Sequence, residues 1–407
     1  MQNDVTGAVP ARALANHHIS VLDDFRGIAI ILVFLCHCAL CLPTNVTDAF
    51  AHPGEFVLGV SSGKVDLQTI ISVLVFFPSH LGWCGVAVFF VVSGFCIHLS
   101  YTQTARPSWQ AFYIRRFFRL YPAYLIALLF FALVFPWSRL TFNKLIYWGQ
   151  LVSHLLLCHN LSDFFVFSIA GSFWSIAVEV QLYLLFPLLL LFVRRYSFRR
   201  ALVALAVVEV SLHLISILVF EIRGQGSPAW LRTSPFFFWF SWAVGAAIAD
   251  AYLNRKPLPF TRIHPVPWLV LAILTSAWPS HELTFTLFAL CTASVLSRSL
   301  SAGAVGEIGP YWRRFLQRTG AYSYSIYLIH GPIMIMLMEL YEAWFPDIRN
   351  QPFLLFPAAL SSWLMIFPLS ALMYRWVERP GIALGKRLFK ARTHRASDRL
   401  TTAASTM

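Results

Sequence analysis

Charged side chains are scarce in this sequence. Only 12% of its 407 residues are Asp, Glu, Lys or Arg, whereas an ordinary globular domain carries about 25%. This scarcity excludes a disordered chain and argues against a water-soluble protein. Apolar side chains make up 58% of the chain and include 37 Phe and 14 Trp. Because apolar runs extend almost from end to end, we predict an all-α fold, a polytopic membrane helix bundle in a lipid bilayer.

Nucleic-acid-binding motifs are absent, although the net charge is +13. The basic residues form short clusters between apolar runs, which is the pattern of cytoplasmic loops in membrane proteins. A nucleic-acid-binding domain instead carries its basic residues within a recognisable motif. We therefore predict that the protein has no nucleic-acid partner.

A cleavable signal peptide is also lacking. The first 20 residues are mixed and polar, and the apolar run that follows has no small-residue cleavage site, so we expect it to remain as the first span. We predict about ten transmembrane helices, because a span needs about 20 apolar residues, with a lower limit near 17. The predicted spans lie near residues 25–42, 82–101, 117–136, 173–193, 201–220, 235–253, 266–279, 283–299, 320–341 and 353–376.

The distribution of positive charge predicts the topology. With both termini cytoplasmic, 25 of the 31 Lys and Arg residues lie inside, in agreement with the positive-inside rule. We predict a cytoplasmic tail at 1–20, a transmembrane domain at 21–382 and a basic, disordered cytoplasmic tail at 383–407. The expected location is the cell inner (plasma) membrane, as a multi-pass protein. Segments 43–81 and 137–172 are then external, and their short apolar runs lie in the interface or re-enter the membrane.

Ionisable residues inside the predicted spans are few, and such residues are functional candidates because burying them is costly. A rise of about 1.5 Å per residue places His37 and His330 near mid-bilayer and Glu179 in the outer half. We expect the three to line one cavity, where a neutral histidine beside a carboxylate would be a general base. We interpret His98 and His213 as hydrogen-bonded contacts between helices.

Seven cysteines are present, and Cys38 and Cys41 have the spacing of a metal or redox motif. On an apolar helix, however, small polarizable side chains are explained by packing. We predict no metal site.

Several motifs, taken together and in order, resemble the acyltransferase 3 family of membrane O-acyltransferases. The first is Leu22–Ala29 with the spacing Arg26-x10-His37. The others are Gly85–Phe95, Arg115–Pro122, Phe173–Tyr183, Ser323–Pro332 and the closing Glu378-Arg379-Pro380. The resemblance covers residues 20–382. The chain departs from the family pattern at Asp24, Ala87 and Leu182, none of which we assign to catalysis.

The resemblance implies transfer of an acyl group, usually acetyl from acetyl-CoA, to a hydroxyl of a carbohydrate or another envelope molecule. It implies His37, Glu179 and Arg26 as catalytic residues. Arg115, Arg116 and Arg119 form a predicted cytoplasmic cluster, and guanidinium groups suit the phosphates of CoA. The remaining predicted substrate-binding residues belong to the same motifs: Tyr121, Trp174, Ser175, Gln181, Tyr183, Ser325 and His330. Acetyl-CoA is expected as a donor substrate, and no permanently bound cofactor is predicted.

Two mechanisms and several acceptors are compatible with the sequence. His37 either removes the proton of the acceptor hydroxyl or takes the acyl group itself and passes it on. The acceptor, a carbohydrate or a lipid-linked glycan, stays open among O-antigen, exopolysaccharide, a lipochitooligosaccharide signal and a small glycosylated metabolite. Several family members that acetylate peptidoglycan or lipopolysaccharide carry an esterase-like domain after the last span. We expect none here, which argues against a peptidoglycan acceptor. The alternative function is a polytopic transporter or a flippase of a sugar-linked lipid, since proton coupling also needs buried His and Glu.

Overall fold

A computed structural model describes residues 19–104, 107–136, 138–276, 281–302 and 309–388, and all regular secondary structure in these ranges is helical. The first half of the chain forms α1 (Ser20–Leu40), α2 (Thr44–Ala51), α3 (Pro53–Ser61), α4 (Leu67–His80), α5 (Gly85–Thr102), α6 (Trp109–Leu129), α7 (Leu145–Leu155) and α8 (Phe173–Arg195). The second half forms α9 (Phe198–Ile215), α10 (Ala229–Arg232), α11 (Trp239–Leu253), α12 (Pro265–Thr275), α13 (His281–Ser301), α14 (Pro310–Trp344), α15 (Pro352–Ser361) and α16 (Trp363–Met373). The all-α prediction is confirmed.

Eight helical stretches in the described part of the chain are long and apolar enough to cross a membrane. They are Leu67–Thr102, Trp109–Val134, Phe173–Arg195, Phe198–Arg223, Pro235–Leu253, His281–Ser301, Tyr311–Trp344 and Pro352–Leu388. The two other predicted spans correspond to α1 and α12. Helix α1 carries Asp23, Asp24 and Arg26 in its first turns, and α12 has only 11 described residues. The count of ten spans and the cytoplasmic location of the termini stay predictions.

Apolar side chains on the outside of the bundle identify its lipid-facing surface. Leu184 and Leu191 on α8 are each 61% exposed, and Val203 and Val207 on α9 are about as exposed. In water such surfaces would be costly, whereas a bilayer solvates them without penalty. The exterior of the helices is therefore suited to a membrane.

Helices α1 and α14 cross in close contact, and this crossing positions the main functional candidates. A side chain at Gly27 would collide with the carbonyl oxygen of Leu316, and one at Gly320 would collide with that of Asp23. Small residues at helix crossings let two backbones approach closely. The glycines thus fix the register between the two helices that carry Arg26, His37 and His330.

The segment after α6, predicted to be external, packs back into the bundle between α6 and α8. The hydroxyl of Tyr121 donates a hydrogen bond to the carbonyl of Leu155 (3.0 Å), and that of Tyr124 donates to the carbonyl of His154 (2.9 Å). Helix α7 has only 11 residues, about 16 Å, which is too short to span a bilayer.

The predicted terminal tails fall mainly outside the described residues. Positions 1–18 of the N-terminal tail and 389–407 of the C-terminal tail are not among them. The helical chain continues to Leu388, six residues into the segment that was predicted to be disordered.

Candidate active site

A polar cavity of about 90 Å³ lies among α1, α5, α6, α8 and α14. Its polar lining residues come from motifs far apart in the sequence: Arg26, Ser93, Cys96, Arg116, Arg119, Ser175, Glu179, Tyr183, Ser323, Tyr324 and Tyr327. Ionisable groups inside a membrane protein are expensive and are retained for function. The cavity is therefore the candidate active site.

The carboxylate of Glu179 is held in a defined position in this cavity. It accepts hydrogen bonds from the hydroxyls of Ser93 (2.6 Å) and Tyr183 (2.5 Å). Tyr183 lies one helical turn further along α8, and Ser93 is contributed by α5. The indole nitrogen of Trp242 in turn donates to the Ser93 hydroxyl (3.3 Å), so that the hydroxyl group is itself oriented.

Three arginines make the cavity cation-rich. Arg26 donates to Asp23 (2.9 Å) and to the sulfur of Cys96 (3.1 Å). The guanidinium of Arg116 donates to the hydroxyl of Ser100. With Arg119, these groups give three positive charges against the single carboxylate in the lining. Such an excess suits a substrate that carries phosphate groups.

The predicted arginine cluster is divided by the fold. Arg116 and Arg119 line the cavity, and Arg115 does not. A helix turns by about 100° per residue, so neighbouring positions on α6 cannot all face the same side. The structure thus brings only two of the three arginines to the site.

His37 and His330 form a second feature of the site. Their rings meet edge to face, with centroids 4.6 Å apart. Nδ1 of His37 donates to the carbonyl of Val33 (2.8 Å), and this bond leaves Nε2 of the neutral ring with its lone pair. Nδ1 of His330 lies 2.9 Å from the carbonyl of Tyr327, which fixes that ring in the same way. His37 Nε2 is thus set up as a base or nucleophile.

The structure differs from the expectation that His37, Glu179 and His330 line one cavity. Neither histidine lines the polar cavity. Glu179 acts electrostatically on Arg26, which lies 11 residues, or about 16 Å, before His37 on the same helix. A depth counted from the outer membrane surface holds only for straight, upright spans. In the packed bundle Glu179 lies further from the outer surface, near the level of Arg26.

Tyr327 separates the histidine pair from the polar cavity. Its ring lines the cavity, and its centroid lies 5.5 Å from that of His330. The Tyr327 hydroxyl forms a hydrogen bond with the hydroxyl of Ser175 (2.6 Å). The two parts of the site are therefore neighbours with one side chain between them.

Three of the predicted substrate-binding residues hold the structure together instead of lining the cavity. Gln181 exchanges hydrogen bonds with the side-chain amide of Asn160 and donates to the carbonyl of Leu157 (2.9 Å). Trp174 packs against Phe238, with ring centroids 5.8 Å apart. Tyr121 anchors the end of α7 through the Leu155 carbonyl, as described above.

Glu378 is a candidate that the sequence analysis did not assign to the site. Its carboxylate accepts a hydrogen bond from Ser325 (3.0 Å) and lies within electrostatic range of Arg119 and Arg26. It ends a π-helical turn, Tyr374–Glu378, and such turns are frequent at functional sites. The signal was present in the Glu378-Arg379-Pro380 motif, although we used it only for the family resemblance. Ser93, in the second motif, was missed in the same way.

His213 makes a hydrogen-bonded contact with a neighbouring element, as predicted, whereas His98 approaches Asp250 without a hydrogen bond. Nε2 of His213 lies 3.0 Å from the carbonyl of Phe237, and Nε2 of His98 lies 3.6 Å from Asp250.

The side chains of Glu221, His281 and Glu282 form a separate cluster, in which each offers one possible metal-ligand atom and these atoms lie within 4.8 Å of one another. The two carboxylates of this group already accept hydrogen bonds from Ser227 and Ser216.

Comparison with known proteins identifies the family. A family model described as an acyltransferase domain matches residues 19–375. YrhL of Bacillus subtilis (strain 168), which carries a provisional name as a peptidoglycan O-acetyltransferase, is 27% identical over 79% of this chain and 54% of its own. The peptidoglycan O-acetyltransferase OatA of Listeria monocytogenes is 25% identical over 74% of this chain and 51% of its own.

A third relative is the acyltransferase MdmB of Streptomyces mycarofaciens, which is 24% identical over 61% of this chain and 67% of its own. The chain thus spans about half the length of the first two relatives. No solved structure shows significant similarity to it. Since the family match covers most of the chain, the protein belongs to the acyltransferase 3 family.

Proposed function

We propose that the protein transfers an acetyl group from acetyl-CoA to a hydroxyl of an envelope or extracellular carbohydrate, such as O-antigen or exopolysaccharide. The observation that carries the proposal is the geometry of α1. This helix directs Arg26 into a cation-rich cavity and, three turns later, holds His37 with Nε2 unprotonated. Two relatives whose names contain O-acetyltransferase support the choice of an O-acetyl product.

The donor binds through its phosphates. CoA is a polyanion, and Arg116 and Arg119 are the cationic side chains that α6 places in the cavity. Charge-assisted hydrogen bonds from guanidinium groups to phosphate are stronger and more directional than those from neutral donors. In the predicted topology both termini are cytoplasmic. The start of α6 then lies on the cytoplasmic side of the inner membrane, where acetyl-CoA is made.

His37 performs the proton or acyl transfer. As a general base, Nε2 accepts the proton of the acceptor hydroxyl while the hydroxyl oxygen bonds to the thioester carbon and the carbon–sulfur bond breaks. As a nucleophile, Nε2 bonds to the thioester carbon to form acetyl-imidazolium, and CoA leaves as the thiolate. The acceptor hydroxyl then takes the acetyl group, its proton passes to the thiolate, and His37 returns to the neutral imidazole. In either route Tyr327 must move, because it separates the histidine pair from the polar cavity.

The test uses purified protein in nanodiscs with [14C]acetyl-CoA and a membrane glycan extract. Transfer of label to glycan is the expected result. Because a positioned base contributes about 10²–10⁴-fold, His37→Ala should lower the rate at least about 100-fold. His213→Ala is the control, since its ring bonds the Phe237 carbonyl away from the cavity. Equal losses in both variants, or no label transfer by the parent protein, would contradict the proposal.

The two mechanisms differ in a partial reaction. If His37 is acetylated, the protein should transfer label from free [3H]CoA into unlabelled acetyl-CoA in the absence of an acceptor, and His37→Ala should not. A general base requires the acceptor for any exchange.

A further inference from the structure

A second cavity, of about 280 Å³, lies between α6 and α8. Phe117 and Tyr121 form part of its α6 wall, Val180 and Leu184 part of its α8 wall, and Leu157 is contributed by the segment after α7. We call this cavity the α6–α8 groove. No step of the proposed reaction uses it.

Apart from the hydroxyl of Tyr113 and the guanidinium of Arg116 at its inner end, the groove offers almost no polar group to an occupant. The hydroxyl of Tyr121 is already bonded to the Leu155 carbonyl, that of Tyr124 to the His154 carbonyl, and that of Tyr183 to Glu179. An amide or a phosphate placed along these walls would lose its hydrogen bonds to water without replacement. The middle of the groove therefore suits a hydrocarbon chain better than the pantetheine arm of CoA, which carries two amides.

The two ends of the groove differ. Its rim includes Phe117 and Leu184, which are 50% and 61% exposed on the outside of the bundle. Its inner end is formed by Arg116 and Tyr183, which also line the polar cavity. The groove therefore leads from the lipid-facing surface to the hydrogen-bonded carboxylate of Glu179.

We propose that the α6–α8 groove holds the hydrocarbon chain of a glycolipid acceptor and delivers its sugar head to the polar cavity. This inference rests on the proposed function and specifies the acceptor as membrane-borne. A hydrocarbon chain gains little burial energy when it moves from the bilayer into the groove. Binding of the chain therefore acts by orientation, because it holds the sugar hydroxyl in position for attack. An acetyl donor has no chain that could fill the groove.

The experiment is photolabelling of the full-length protein in nanodiscs with an octyl β-glucoside that carries a diazirine at the end of its alkyl chain. Adducts are mapped by mass spectrometry. We expect them on groove residues of α6 and α8. Val180→Trp, which fills the groove, should reduce this labelling at least about tenfold. Leu188→Trp is the matched control, two turns further along α8 and 51% exposed, and should leave labelling unchanged.

Val180→Ala guards against misfolding of the Trp variant, because it enlarges the groove and should preserve labelling. Three results would overturn the proposal. Adducts spread over the exterior of other helices, with no effect of Val180→Trp, would show no site. Equal labelling of the groove by a diazirine-tipped phosphatidylcholine would indicate an ordinary boundary lipid. Labelling by a diazirine-tipped palmitoyl-CoA, without labelling by the glucoside, would assign the groove to the donor.

The labelling result does not depend on turnover. If the protein labels in the groove and yet transfers no acetyl group, the proposed function fails and the binding site stands. If it transfers acetyl and the groove stays unlabelled, only the present inference fails.

Discussion

The rings of His37 and His330 are in direct contact, edge to face, with centroids 4.6 Å apart. The first lies in the last turn of α1 and the second lies inside α14. Each ring is fixed by a backbone carbonyl at Nδ1, so the pair meets in one orientation. Such a contact supplies packing and orientation for a reacting imidazole without requiring that both rings react.

The contact predicts that His330 positions His37. The ring of His330 should therefore be replaceable by another aromatic ring. His330→Phe should keep turnover within about tenfold of the parent protein, because it retains an aromatic partner, whereas His37→Phe should lose at least about 100-fold. Steady-state acetyl transfer measures both. If His37→Ala keeps substantial turnover and His330→Ala does not, the chemistry belongs to His330.

Glu179 is expected to act through its charge as well as its position. Glu179→Gln can still accept hydrogen bonds from Ser93 and Tyr183 through its amide oxygen, so we expect it to retain about a tenth of the turnover. Glu179→Ala should retain about a hundredth. Turnover at saturating donor distinguishes the two, with Tyr183→Phe as a test of the hydrogen bond alone. A Gln variant as active as the parent protein would show that the negative charge is not needed.

The division of the arginine cluster predicts unequal effects on donor binding. Arg116→Ala and Arg119→Ala should each raise the KM for acetyl-CoA about 10- to 100-fold, the range expected when a charge-assisted hydrogen bond is lost. Lys at either position should rescue only partly, because it lacks the planar fork. Arg115→Ala is the control and should leave KM within about twofold. A rise in KM for Arg115→Ala as large as the others would contradict the assignment.

The end of α7 and the turn that follows it should open as the pH falls. His154 and His159 stack with centroids 3.8 Å apart, and burial lowers the pKa of His154 to about 4 and that of His159 to about 2. In the opened segment both pKa values return toward about 6.5, so the opened form binds more protons. Stability is therefore full above pH ~6.5 and is lost as the pH falls toward 4, by up to about 1.4 kcal/mol per unit for each histidine.

Hydrogen exchange of peptides from 150–165 at pH 7.5 and 5.5, corrected for intrinsic rates, measures this opening. Protection should fall at least about tenfold at the lower pH. His159→Phe keeps a ring against His154 and removes one titrating group, so it should weaken the pH dependence. Equal protection at both pH values in the parent protein would be inconsistent with neutral, buried histidines.

The charge asymmetry predicts the orientation of the loops. A cysteine at Ser197, within the basic segment 194–200, should react with a membrane-impermeant maleimide only after permeabilisation. One at Asn143, in the predicted external segment, should react in intact cells. Both positions are exposed. Labelling of Ser197→Cys in intact cells would reverse the topology.

The sequence by itself determined that this protein is a membrane helix bundle, because helices in a bilayer need long uncharged runs and the chain consists largely of them. It also pointed to Arg26 and His37 as candidate site residues, since their spacing along one helix is a local property. Glu179 was identifiable in the same way, as a rare carboxylate within an apolar run.

Only the tertiary structure decided which of these side chains meet. The spacing of residues on a helix gives their face and height, but helix tilt and crossing are set by contacts such as those of Gly27 and Gly320 with the opposite backbone. That packing paired His37 with His330 and placed Glu179 at the level of Arg26. It also placed Tyr327 between the histidine pair and the polar cavity. It also turned Gln181 toward Asn160 and left the α6–α8 groove open to the bilayer. Neither could be read from the sequence, because the residues that contact each other there come from distant segments.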